Sequence, residues 1–402
     1  MPQIDPARVL SDLRELAQFG AYKSGVHRPT FSDDDMAARH WFVGKLGEAG
    51  LDASIDGIGN VLGLAPGAGP KMLTGSHLES QNHAGWLDGA LGMIYALEAA
   101  RAIGHGVDVA AFCDEEGHFG SFIGSRSFTG LLEDEEIDRL ANKYDGTPLR
   151  DALAKAGLAG RPRLGFTPDR YRGFVEAHIE QGDTLESEGL KIGIVTAIVA
   201  IWQYRIEATG EQNHAGTTSM ARRRDAGLAI VRLLGQIDRR FPEFAGPRTV
   251  WTAGRITLEP GAPSIIPGRA EALFQFRDAD PAVLDRLDGE LRRLVAEANR
   301  GPCPVTLEVM GQSRPAKMNE GLQMLIEQAA EVHAPGRWLR TPSGAGHDAQ
   351  YLARVMPAAM LFVPSIGGIS HHWTEDTAPD DIVLGAQVYC DAVAAGLSDE
   401  AG

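Results

Sequence analysis

Five short segments hold the residues that could do chemistry. They are TGSHLES with His77, GWLDGALG with Asp88, CDEEGHFG with Glu115 and Glu116, EAHIEQG with His178, and GISHHWTE with His371 and His372. Each lies at or just after an apolar, strand-like run and sits in a glycine-rich junction. A lone histidine is usually a surface or satisfied core residue, but several of the 12 histidines here stand beside carboxylates. Two imidazoles at one cation, one at another and a bridging carboxylate would make a dinuclear site. Imidazole and carboxylate suit zinc, manganese, cobalt or nickel. One carboxylate can bridge because its two oxygens reach cations roughly 3.5–4 Å apart. The candidates are dispersed, with neither an HExxH nor a CxxC pair, so spacing alone leaves open that Glu115 and Glu116 are solvated loop acids.

Bringing such dispersed residues together requires a sheet. Ser32 with Asp35 predicts a helix start, and Ala90–Ile103 reads as a second helix. Val61–Leu64, Met72–Thr74, Val107–Cys113 and Phe174–His178 read as short strands. This alternation predicts an α/β fold with a mostly parallel sheet flanked by helices, in which ligands gather outside the carboxyl ends of the strands. From about residue 199 the pattern changes. A strand at Trp202–Ala208, a helix over Met220–Phe241, strands at Thr249–Leu258 and Ala270–Arg277, a helix over Pro281–Asn299 and a strand at Pro304–Val309 give βαββαβ, the ferredoxin-like order. The expected organisation is a first catalytic part at 1–198, an inserted α+β domain at 199–312, and the rest of the catalytic domain at 313–402.

Composition narrows the function classes. Against 38 Lys and Arg stand 54 Asp and Glu, a net charge of −16. That surface repels phosphate backbones and anionic bilayers, so no nucleic-acid or membrane partner is expected. An anionic substrate needs a local cation. Cys113, Cys303 and Cys390 are scattered and odd in number, which argues against a disulfide framework. No apolar leader segment follows the charged, helix-like start, and a cytoplasmic location is expected.

These motifs, with GVHRPTFSDDD, IDGIGNVLG, NHAGTTSM, RRRDA and SGAGHDA, run along nearly the whole chain. The sequence resembles the hydantoinase/carbamoylase-type amidases of the dinuclear-metal aminoacylase and carboxypeptidase-G superfamily. The resemblance implies two divalent metal ions per subunit: His77 and His178 at one, Glu116 and His371 at the other, Asp88 bridging. It implies Glu115 as general base and His214 as an oxyanion donor that often serves the partner subunit's site. It places Gln181, Arg277 and Gly346 at the substrate, with Arg277 on its carboxylate. A homodimer joined through the inserted domain, which would also act as a lid, is implied as well. Two positions depart from the family pattern. Glu79 stands where an aspartate usually orients the first metal histidine, and Ser264 replaces a substrate-binding asparagine.

The leading expectation is an amidohydrolase acting on a small anionic amide, an N-carbamoyl or N-acyl amino acid or a related ureido acid. The Ser264 departure keeps a peptidase or aminoacylase of the same superfamily in play. Glu79 is the one encouragement for a catalytically silent metal- or ligand-binding protein. No G-x-S-x-G elbow supports a serine hydrolase.

Overall fold

The computed structural model describes residues 2–398. Two compact units form: one from Met1–Ala197 with Lys317–Gly402, the other from Ile198–Ala316. In the first, a nine-stranded sheet runs in the order Ala316–Lys317, Ile192–Ile198, Ala358–Val363, Tyr171–Ile179, Lys71–His77, Val107–Phe112, Val61–Leu64, Asp52–Ile55, and Trp338–Ser343 pairs beside Ile192–Ile198. The four central strands, Ala358–Val363 through Val107–Phe112, are mutually parallel. The flanks are not: Val61–Leu64 pairs antiparallel with both neighbours, and Ala358–Val363 is antiparallel to Ile192–Ile198. The sheet is thus mixed, with its parallel part at the centre. The reason is loop length: five residues join Asp52–Ile55 to Val61–Leu64, too few for the crossover that a parallel neighbour needs.

Lys71–His77, Val107–Phe112 and Ala358–Val363 are buried at every residue, as strands covered on both faces must be. Helix Ala90–Ile103 packs on three of the central strands and on helix Pro379–Gly396. Its Ala- and Leu-rich sequence suits a buried helix, and it stops where Gly104 takes a left-handed conformation. Helix Asp33–Glu48 starts at Ser32, whose hydroxyl accepts from the Asp35 amide.

The second unit is a four-stranded antiparallel sheet ordered Val250–Glu259, Arg269–Asp278, Ala200–Thr209, Val305–Gln312, with helices Ala226–Arg240 and Pro281–Ala298 packed on it. That strand order is the ferredoxin-like one. The first of these helices starts later than the sequence suggests. Met220–Arg222 is a separate 3₁₀ turn, and the Asp225 carboxylate caps the helix by accepting from the Leu228 amide.

Candidate metal centre

The central strands end at one edge of the sheet, and the chemistry-bearing residues leave from there. His77 closes its strand opposite Phe112, just before Asp114, Glu115 and Glu116. His178 pairs with Phe362, whose strand leads into the loop bearing His371. Asp88 sits just ahead of helix Ala90–Ile103. Between them, Gly89 adopts φ +66°, and a Cβ there would lie 2.4 Å from the His77 ring. Only glycine lets the turn and the imidazole share this space.

Both buried histidines are oriented by their backbone surroundings. His77 Nδ1 donates to the Glu79 carbonyl at 3.0 Å, and His178 Nδ1 donates to the Ile179 carbonyl at 2.9 Å. Each ring is thereby turned with Nε2 toward the cluster, the orientation a metal ligand needs, and His178 Nε2 also lies 3.2 Å from the Gly89 amide. The two Nε2 atoms lie 3.4 and 3.0 Å from Asp88 Oδ1. The other oxygen, Oδ2, is 3.4 Å from His371 Nε2, which in turn is 3.8 Å from Glu116 Oε2. Two triads result, His77–Asp88–His178 and Asp88–Glu116–His371, each with ligand atoms within 4.8 Å of one another. They share Asp88 and use opposite oxygens of it. His77 Nε2 is buried with no hydrogen-bond partner, as an atom reserved for a cation would be. The donor set and its geometry fit divalent metal.

Burial would raise Asp88, but His178, His371 and His77 outweigh it and hold this carboxyl well below the usual range. Its hydrogen bond to Asp88 lifts His371 to about 9. Glu115 lies 3.9 Å from His77 Nε2. Burial pushes its carboxyl well above the ordinary value; His77 opposes this in part, while the negative charges of Glu116, Asp348 and Asp88 add to the rise.

The remaining candidates fall into two groups. Gln181, at φ +57°, commits its amide nitrogen to Asp88 Oδ2 at 3.0 Å and to the Ser370 hydroxyl at 3.1 Å. Gly346 lies in the turn before helix Ala349–Leu352, where the neighbouring His347 packs edge-on against His178. His372 bonds the Thr374 hydroxyl and lies tilted against the Trp373 ring. His214, Ser264 and Arg277 belong to the other unit. His214 pairs with Ile265, and the Ala215 amide donates to the Ser264 carbonyl at 2.9 Å, so these two are neighbours, both exposed. Arg277 is half-buried near the far end of strand Arg269–Asp278.

Several supporting residues escape a reading of the sequence. Glu375 is buried and accepts from the Asp88 and Leu87 amides while its other oxygen lies 3.1 Å from Ser370. It thereby ties the Asp88 turn to the His371 loop, and Gly85 leaves room for it, since a Cβ there would meet its carboxylate at 2.0 Å. Gln81 holds Glu116 through its backbone amide and its side chain. The closeness of Ser370 and Glu375 to the histidine pair in GISHHWTE is the one signal that could have marked them.

The sequence profile of peptidase family M20/M25/M40 matches residues 81–395. An N-carbamoyl-L-amino acid amidohydrolase of Geobacillus stearothermophilus is 33% identical over 403 residues, covering 96% of this chain and 97% of that one. An allantoate amidohydrolase of Escherichia coli is 31% identical over 390 residues, covering 92% and 93%. Among solved structures, a hydantoinase/carbamoylase family amidase from Burkholderia phymatum superposes with a TM-score of 0.92 at 47% identity, over 98% of both chains. The chain belongs to peptidase family M20/M25/M40, within its hydantoinase/carbamoylase-type amidases, and is an amidohydrolase of non-peptide C–N bonds.

Proposed function

We propose that this enzyme hydrolyses a C–N bond of an N-carbamoyl or N-acyl amino acid, or of a related ureido acid, using two divalent cations per subunit. The observation that carries the reading is Asp88, whose two oxygens face two separate triads. His77 and His178 would hold one ion, Glu116 and His371 the other, and Asp88 both. Zinc, manganese, cobalt and nickel all suit the donors. When bound, such ions supply Lewis acidity that acidifies water and polarises a carbonyl. Glu115 takes the proton from the attacking water and returns it to the leaving nitrogen. Arg277 grips the substrate carboxylate through its planar fork, and His214 donates to the developing oxyanion. Gln181, Ser264 and the Gly346 backbone contact the rest of the substrate. Three free, buried cysteines support a reducing, cytoplasmic setting.

The inserted unit supports a homodimer. His214 and Ser264 lie where strand Arg269–Asp278 begins, and Arg277 lies eight residues further along it. At about 3.3 Å per residue these ends are some 26 Å apart. One copy of the unit therefore cannot bring both to a single small substrate, whereas two copies related by a two-fold axis can.

A panel of carbamoyl, formyl, acetyl and peptidyl amino acids, each with several divalent ions, tests the reading. Ammonia release from a carbamoyl substrate is expected. Cleavage of peptidyl or acetyl substrates alone would move the assignment to a peptidase or aminoacylase. A Glu115→Gln variant should keep its metal and lose nearly all turnover, and full activity in that variant refutes the mechanism.

A further inference from the structure

Behind His77 and Glu115 lies a chain of charged side chains that the mechanism above does not use. The Arg39 guanidinium donates from Nη2 to Glu79 Oε2 at 2.6 Å, from Nε to Asp35 Oδ2 at 2.9 Å and from Nη1 to the Gly59 carbonyl at 2.8 Å. The side chains of Asp35, Arg39 and Glu79 are all 0% exposed. Arg28, also fully buried, adds a second positive charge to this surrounding and donates to the Leu78 carbonyl, one residue before Glu79. The free oxygen of Glu79, Oε1, accepts the backbone N–H of Glu115 at 2.7 Å. The Glu79 carbonyl accepts His77 Nδ1–H at 3.0 Å.

We propose that the Glu79 carboxylate, braced by Arg39 and Asp35, has left the histidine-orienting task that the family's aspartate serves and instead positions the backbone of Glu115, while the main-chain carbonyl of Glu79 holds the imidazole of His77. The inference deepens the proposed function, since it rests on Glu115 as base and His77 as ligand. Its physical ground is twofold. Buried ion pairs contribute little net stability compared with apolar side chains of similar volume, so four buried charges are a poor device for merely holding helix Asp33–Glu48 in place. And the contacts of Glu79 end on a proposed ligand and on the proposed base, linking the two ends of the proton-transfer geometry through one residue. This also accounts for glutamate at a position where the family pattern has aspartate. A side chain one methylene shorter, by about 1.5 Å, cannot meet Arg39 and the Glu115 amide together from the same backbone position. In this chain the imidazole is oriented by the Glu79 main chain, leaving the carboxylate for Glu115.

The experiment compares metal-loaded full-length Glu79→Asp and Glu79→Gln with the parent and with Glu115→Gln. It reads kcat, KM, bound metal by plasma emission, the absorption spectrum of the cobalt-substituted enzyme, and Tm. Positioning is a matter of reach, which Gln preserves and Asp does not; bracing of Arg39 is a matter of charge, which Asp preserves and Gln does not. The expected kcat order is parent, Glu79→Gln, Glu79→Asp, with Glu79→Asp at least tenfold down, KM within threefold and two metals retained. The expected Tm order puts Glu79→Gln lowest. Kcat losses that follow Tm or metal content, or a Glu79→Asp enzyme as fast as the parent, overturn the proposal. If neither variant folds, Arg39→Lys carries the test: it keeps the charge and loses the fork, and the same kcat loss with unchanged KM and metal content is expected. A fully active Glu115→Gln enzyme would instead show that the underlying mechanism has failed.

Discussion

The two units of this chain prepare their functional residues in opposite ways. In the unit of Met1–Ala197 and Lys317–Gly402, four of the five candidate ligands are buried, and every one is within 4 Å of another candidate. Behind them, Glu375 accepts from the Asp88 amide, the Glu79 carbonyl accepts from His77, and Gln81 donates to Glu116. In the unit of Ile198–Ala316, His214 and Ser264 are exposed at one end of a strand and Arg277 stands at the other. The first arrangement is preorganised, as metal ligation and proton transfer require. The second spreads its side chains over a surface, as suits residues that meet a ligand only when it arrives. On the proposed assignment, the ligands and the base come from the first unit and Arg277, His214 and Ser264 from the second, so variants in each should fail in different ways.

The largest effect should come from Asp88→Ala, which removes the side chain common to both triads. Bound metal should fall from two ions toward none and kcat by more than about 10³-fold. His371→Asn touches one triad and should lose one ion. Equal metal loss in both variants would show that the triads do not share Asp88. In the inserted unit, Arg277→Ala should raise KM by about 10–100-fold, the cost of a lost charge-assisted bidentate contact, and leave metal content unchanged. His214→Asn should instead lower kcat, by on the order of 10²-fold. Mixing these two impaired proteins, assayed at substrate well below KM, is the sharper experiment. If each site takes Arg277 from one copy and His214 from the other, half the dimers are hybrids with one intact site, and about a quarter of full activity returns. No recovery after subunit exchange would place both residues in one copy's site.

How much of this the chain discloses on its own differs between the same two regions. Helix Ala90–Ile103 is legible to the residue, because its apolar run is framed by Gly89 and Gly104. The βαββαβ order of the inserted unit is legible because its strands alternate buried and exposed residues and its helices carry one apolar face. The fully buried central strands carry no such alternation, and nothing local says which neighbours run antiparallel; the short link before Val61–Leu64 is the only hint. Candidate ligands stand out because histidines and carboxylates interrupt apolar runs at glycines. Arg39 does not, because a buried arginine inside a helix looks like an exposed one until its partners, 4 and 40 residues away, are known. The separation of His214 from Arg277 is likewise a matter of register, set by the whole sheet.

Glu375→Gln should have an intermediate effect. An amide keeps one acceptor for the Asp88 and Leu87 N–H groups but turns a donor toward Ser370 or toward that backbone. Metal affinity should weaken by about tenfold, the lower end for a residue that orients a ligand, with KM unchanged. A titration of the metal-free protein with manganese reads it, and an unaltered affinity would reduce Glu375 to a packing role.

The smallest effect concerns stability and also separates the units. Charged groups of the inserted unit are largely surface pairs, such as Arg269 with Glu207 and Arg293 with Glu297, worth little and screened by salt. The other unit buries carboxylates away from the metal centre too. Asp56 accepts the Ile58, Asn60 and Leu164 amides, yet burial raises its carboxyl to about 6. The folded chain therefore holds a proton there that the unfolded chain releases near pH 4. This contribution is fully present below about pH 4 and is lost as pH rises through about 6. Asp56→Asn cannot titrate, and its NH₂ would face the Leu164 N–H, so it should be the less stable protein at neutral pH by about 1 kcal/mol. Between pH 7.5 and 5 the gap should widen by roughly another 1 kcal/mol, because the parent gains what the variant cannot. Urea unfolding of both proteins at the two pH values reads the difference. A gap that stays constant or closes toward pH 5 would mean that the three amides hold Asp56 ionised in spite of its burial.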